Sequence, residues 1–274
     1  MSRSLATLTL LTLALAACDT TGPDSGAGVR IRFMTAASAA APALGVNSAA
    51  GDLTIPGSNG TLTLSDIHFI VDKFEMERQE GACDATTSAS SGANRADDDH
   101  EDDDECEEFE AGPFFVGLQL GSEASVVTQD VPAGTYTRLK FEVEDTEFGE
   151  DRDDHHGASV QDLMQDIAAA GFTDWPQKAS MVVSGTFTPV NGTPRPFTTY
   201  FEAELNIRQR FDPPLVITDG AATVTVEVDP AIWFTGVDGK VMDLSAFDFE
   251  TTGRIVEFET HLRDGFRRIE HDRD

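Results

Sequence analysis

Apolar side chains recur at every second position over much of the chain, and a half-buried β-strand is the element with that period. Thr137, Leu139, Phe141 and Val143 alternate with Arg138, Lys140, Glu142 and Glu144, which gives one face to a core and one to water. Phe197, Thr199, Phe201, Ala203, Leu205 and Ile207 alternate in the same way with Tyr200, Glu202, Glu204 and Asn206. Val224, Val226 and Val228 alternate with Thr225, Glu227 and Asp229; Met181, Val183 and Phe187 supply another strand, and Val29 to Met34 a first one. Between Leu62 and Met76 the parity changes. Ile67, Phe69 and Val71 share one phase, whereas Ile70, Phe74 and Met76 share the other. That predicts a bulge near Asp72, or a strand covered on both faces.

Turn chemistry joins these strands. Val131-Pro132-Ala133-Gly134 has Pro second and Gly fourth, as a type I turn prefers, and links a strand near Val126 to one starting at Tyr136. Asn191-Gly192 lies between two strands and fits a tight hairpin. It also begins a glycosylation sequon, as does Asn59-Gly60-Thr61, but Asn-Gly between two strands favours the turn reading. Two helices are expected. Ser159 with Asp162 caps a segment bearing Val160, Leu163, Met164 and Ile167, which Gly171 ends; a second runs from Arg254 to Ile269 with Ile255, Phe258, Leu262, Phe266 and Ile269 on one stripe. About eight or nine strands and two short surface helices, with no βαβ alternation, describe a mainly β chain folded as an antiparallel β-sandwich.

The amino terminus addresses the protein. Arg3, the apolar run Leu5 to Leu15 and the small residues before Cys18 form an export signal. The run is about half the roughly 20 residues of a spanning helix and contains Thr7, Thr9 and Thr12, so it is too short to cross a bilayer. Leu15-Ala16-Ala17-Cys18 resembles the lipobox of bacterial lipoproteins, which implies acylation of Cys18 and cleavage before it. The competing reading is an ordinary signal peptide with a coincidental cysteine. On the lipobox reading, residues 1–17 are removed, 18–28 form a lipidated flexible tether, and 29–274 form one β-sandwich domain. The lipid bilayer is then a partner through the acyl chains, at the periplasmic face of the inner membrane or at the outer membrane and cell surface. The Ala/Ser/Gly/Pro stretch Ala36 to Gly51 reads as a loop.

The formal charge of −30 is uneven. Residues 97–110 hold eleven carboxylates without Lys or Arg, and 142–154 hold eight against Arg152 alone. Such a balance excludes nucleic acid as partner, since phosphates need clustered cations. With Cys18 assigned, Cys83 and Cys106 remain, and an oxidising compartment favours a disulfide closing the insert 83–106. A loop of 24 residues gains roughly 3 kcal/mol in the chain-entropy model. The competing reading, a pair of thiol ligands, lacks a third thiol nearby.

Two constellations point to metals. Asp97, Asp98, Asp99, Glu101, Asp102, Asp103 and Asp104 offer oxygen ligands of the kind calcium takes. They lack the Asp-x-Asp-x-Asp-Gly spacing of a single-ion loop, and the competing reading is a solvated, self-repelling run; weak collective calcium binding is compatible with both. Asp151, Asp153, Asp154, His155 and His156 offer a zinc or copper set, which gives a periplasmic transition-metal binding protein as the alternative function; adjacent ligands seldom reach one ion without a bent backbone, and the competing, favoured reading is a solvated loop. His68, His261 and His271 are isolated. No catalytic elbow, zincin helix, P-loop or dinucleotide fingerprint occurs, so the chain reads as a non-enzyme.

Val131-Pro132-Ala133-Gly134-Thr135-Tyr136 and its following strand resemble the signature of bacterial lipoproteins built on a β-sandwich domain of unknown function, and carboxypeptidase-regulatory-like modules of prealbumin type. The resemblance extends from Leu62 to Phe234 and includes Pro213-Pro214-Leu215 and Asp229-Pro230-Ala231-Ile232-Trp233-Phe234. It implies an envelope-anchored β protein with an Ig-like or prealbumin-like sandwich and no activity; the role expected is that of a binding or structural envelope module, whose envelope protein or glycan partner the sequence leaves unidentified. It carries no catalytic residues over.

Overall fold

The computed structural model describes residues 27–35, 51–79, 109–120, 125–145, 157–218, 222–258 and 262–273. The alternating segments are strands, arranged in two sheets that do not close into a barrel. One sheet contains β1 (Ala27–Thr35), β6 (Ser125–Val131), β11 (Ala222–Val228) and β13 (Phe266–Arg273), in the order β13-β11-β1-β6. The other contains β2 (Leu53–Gly57), β3 (Gly60–Arg78), β4 (Phe109–Ala111), β5 (Phe114–Gly117), β7 (Gly134–Val143), β8 (Met181–Pro189), β9 (Arg195–Glu202), β10 (Leu205–Ile217) and β12 (Ile255–Glu257). Four short helices complete the described elements: α1 (Gly157–Ala169), α2 (Pro230–Phe234), α3 (Phe249–Thr252) and α4 (Leu262–Gly265), with a 3₁₀ turn at Leu244–Phe247.

β3 is the spine of the larger sheet. Val143 of β7 pairs with Val71, Met181 of β8 pairs with Phe69, and β5 pairs with the same stretch of β3 from its other side. β7 and β8 therefore run end to end along one edge of β3. β9 and β10 flank them in the same end-to-end fashion, joined through Ala203 and Glu204. Ser180 stitches this junction. Its buried hydroxyl donates to the Ala203 carbonyl at 2.8 Å and accepts from the Ala203 N–H at 2.7 Å.

The parity change in β3 has a physical cause at both ends. Its register slips against β8 between Leu64 and Asp66, and against β7 between Val71 and Lys73. Leu62 and Leu64, then Ile67, Phe69 and Val71, then Phe74 and Met76 all reach the inter-sheet core in consequence. Ile70 points the other way, where Leu163 and Ile167 of α1 cover it together with Trp175, Val182 and Tyr200. A bulge at Asp72 and a strand covered on both faces are both realised. Between the sheets, Phe33 meets Phe69 edge-on at 5.6 Å and Phe141 at 6.3 Å. Each such aromatic pair adds about 0.5–1.5 kcal/mol beyond its buried area.

Several expectations are corrected. β1 begins at Ala27, so the last two residues assigned to a tether belong to the sheet. Pro132-Ala133 does turn the chain between β6 and β7, but these strands belong to different sheets, and the turn is a corner held by the Tyr136 hydroxyl donating to the Pro132 carbonyl at 2.8 Å. The sheets are not wholly antiparallel: β1 runs parallel to β11, and β12 parallel to β9. α1 starts at Gly157, before Ser159, so Ser159 is not its N-cap; Gly171 beyond its end takes φ +99° as a terminating glycine should. The helix expected over 254–269 is instead β12, α4 and β13. Ile269 pairs with Val226 and Phe266 with Val228 at the open edge of β11, and both side chains pack against the core from there.

Candidate metal centre

The outward face of β4, β3, β7 and β10 follows from register alone. Lys73, Glu75 and Glu77 of β3 stand opposite Glu142, Lys140 and Arg138 of β7, an opposite-charge pair in each row. Lys73 Nζ reaches Glu75 at 2.5 Å and Glu110 at 2.9 Å; Lys140 Nζ reaches Glu75 at 3.1 Å and Glu142 at 2.9 Å; Arg138 reaches Glu77 at 2.9 Å. Burial works against the charges of Lys73 and Glu75. The hydrogen bonds outweigh it, holding Lys73 above the ordinary lysine pKa and Glu75 below the ordinary carboxylate value. Lys140 is raised chiefly by Glu142, against burial and with help from Glu75.

One end of this ladder is richer in acid. At the bulge the Asp72 side chain joins Glu142 and Glu144, and one oxygen from each of the three half-buried carboxylates lies within 4.8 Å of the others. The backbone explains the convergence. The extra residue in β3 re-aims Asp72, while Glu142 and Glu144 share an outward parity as β7 ends at Val143. Gly112, at φ +134°, lets the β4–β5 connection pass over the bulge, since a Cβ there would lie 2.4 Å from the Asp72 carbonyl. Glu142 is further held by a short hydrogen bond from Asn206 of β10 and by Lys140.

The donor set decides what such a cluster suits. Calcium–oxygen distances of about 2.3–2.6 Å allow ligand atoms on one ion to lie up to about 4.6–5.2 Å apart, and these oxygens lie within that reach of one another. All three donors are carboxylates, which match hard cations over zinc or copper. Repulsion among three like charges at this separation costs roughly 1 kcal/mol per pair in water-like surroundings and more where water is excluded. Lys140 offsets part of it.

None of the residues named from sequence as metal, disulfide or lipidation sites lies in this cluster. Cys18, Cys83, Cys106, the run Asp97, Asp98, Asp99, Glu101, Asp102, Asp103 and Asp104, and the set Asp151, Asp153, Asp154, His155 and His156 all lie outside the described residues. His68 stacks on Phe115 at 4.9 Å with Asp66 at 3.2 Å, and His271 approaches the Pro213 carbonyl at 3.0 Å; among the described residues neither joins a group of three metal-ligating side chains. The sequence flagged Glu142 and Glu144 as outward and Asp72 as a bulge. Only the register brings them together.

No protein-family model and no curated protein matches the chain. Among solved structures it is similar to "MbnP from Methylosinus trichosporium", with 15% identity over 78% of this chain and 80% of that one, and a TM-score of 0.34. A likeness this distant assigns the chain to no family.

Proposed function

We propose that this protein is an extracytoplasmic, lipid-anchored β-sandwich with a binding rather than catalytic role, taking up a divalent hard cation, calcium foremost, at Asp72, Glu142 and Glu144. The convergence of these three carboxylates at the β3 bulge is the observation that carries the reading. Oxygen-only donors favour calcium over the zinc or copper that a histidine set would take. The anchor rests on the Leu15-to-Cys18 motif, and the family resemblance to bacterial lipoproteins belongs to the same proposal. Intact-mass analysis tests the anchor: a chain beginning at Cys18 and carrying acyl mass is expected, and a trimmed chain with no acyl mass overturns it.

Calcium titration of the full mature chain tests the cation. Extracellular modules bind calcium at about 0.1–1 mM, so 10 mM calcium should stabilise the fold by roughly 1.4 kcal/mol or more and raise the melting temperature by a few degrees. The D72N/E144Q chain should lose that rise. A flat melting temperature in the unaltered chain, or an equal rise in D72N/E144Q, overturns the site; the second result would transfer the calcium effect to the acidic run.

A further inference from the structure

The polar face has a second, cationic half that its own neighbours leave unbalanced. Arg208 and Arg210 of β10 are exposed and stand directly opposite Lys140 and Arg138 of β7. Lys140 is already engaged by Glu75 and Glu142, and Arg138 by Glu77. Among the described residues neither Arg208 nor Arg210 has an ion-pair partner, and Arg263 of α4 adds a further guanidinium at this edge through the Asn206 carbonyl, 3.4 Å away. Like charges directly opposite across two strands are destabilising. Carboxylates outnumber cations 49 to 19 in this chain, so two arginines with no ion-pair partner among the described residues are against the odds of composition as well as of electrostatics.

The chain carries a matching anion, and the described residues on either side of it flank this face. It leaves the described residues after Gln79, just beyond the β3 end that holds Glu77, and re-enters at Phe109, beside Met76. Ten carboxylates fall between Asp97 and Glu108, with no Lys or Arg among them. Arg210 lies two strands from β3, about 10 Å at the usual strand spacing, which 29 intervening residues span easily. Covalent attachment at both ends gives the run an effective concentration in the millimolar range that a separate polyanion would have to exceed.

We propose that the sheet face bearing Arg138, Arg208 and Arg210 is the docking surface for the acidic run 97–108 of the same chain. The proposal is independent of the Asp72 site. An unoccupied face and an occupied one respond oppositely to loss of the arginines.

The test is a double-mutant cycle on the full mature chain, combining R208Q/R210Q with a run in which Asp97, Asp98, Asp99, Asp102, Asp103 and Asp104 are all changed to Asn. Arg208 and Arg210 are exposed, so R208Q/R210Q leaves the core untouched. At about 20 mM salt R208Q/R210Q is expected to lower the melting temperature by several degrees; the loss should vanish in the Asn-substituted background and at about 1 M salt, where the Debye length falls to about 3 Å. A melting temperature that stays level or rises in R208Q/R210Q, as relief of repulsion from Lys140 and Arg138 alone would give, overturns the proposal and leaves the face for an external polyanion. An equal loss in both backgrounds overturns it too.

Discussion

Glu75 links the two lysines of the polar face. It is 7% exposed, a buried carboxylate held between two lysines, with both partners on the same outward face. Its folded pKa is depressed, so its contribution is fully present above the unfolded glutamate value of about 4.3 and is lost as pH falls through the folded value. Lys73 and Lys140 have raised pKa values, so their contribution is present below the unfolded lysine value of about 10.4 and is lost only as pH rises through the folded values. E75Q should therefore cost about 1–3 kcal/mol at neutral pH and flatten the acid limb of the stability profile below pH of about 4.3; urea melts across pH check this, and an acid limb unchanged in E75Q would exclude Glu75 as its source. Asn59 makes a different point at the same scale. Its sequon is legible, yet its amide donates to the Val241 carbonyl at 2.9 Å and its oxygen accepts from the Val241 N–H at 2.9 Å, so the side chain serves as a two-pronged clamp on a neighbouring loop.

At the scale of elements, Gly265 separates the two accounts of the carboxyl-terminal segment. In a helix over 254–269, replacing it with Ala would add stability, since Gly is about 1 kcal/mol worse than Ala in helix interiors. In the folded protein a Cβ there would lie 1.9 Å from Trp233 Nε1, and Trp233 is a core residue at 2% exposure. G265A should lower the melting temperature by several degrees, and an increase would restore the helix. Sequence reasoning failed here because Ile255, Phe258, Leu262, Phe266 and Ile269 satisfy a helical stripe by spacing alone, while the vacant edge of β11 that captures β13 is a non-local fact. It succeeded where the evidence is local: the β7 alternation, the Asn191 hairpin with its positive φ of 59°, the glycine ending α1 and the bulge at Asp72. The cation cluster falls between these cases. Each residue was visible, and the cross-strand register that unites them was not.

For the molecule as a whole, the end-to-end strands set the cooperativity. β3 borders both halves of the larger sheet, and β9 continues into β10 across the Ser180 stitch, so neither half can open without disturbing the other. Trp175 lies over the outer face and Trp233 in the inter-sheet core, which gives a reporter in each packing layer. Tryptophan fluorescence and far-ultraviolet circular dichroism should melt together in one transition; two separated transitions would mean that the layers unfold independently. Replacing Phe69, 1% exposed and packed against Phe33, by Ala should cost about 3–5 kcal/mol and move both probes equally. The place of β1 inside the smaller sheet has a mechanical corollary. The chain ahead of Ala27 enters a strand flanked on one side by β11 and on the other by β6, in register along most of its length. A pull along that strand loads both ladders in shear, many bonds at once, where an edge strand would unzip rung by rung.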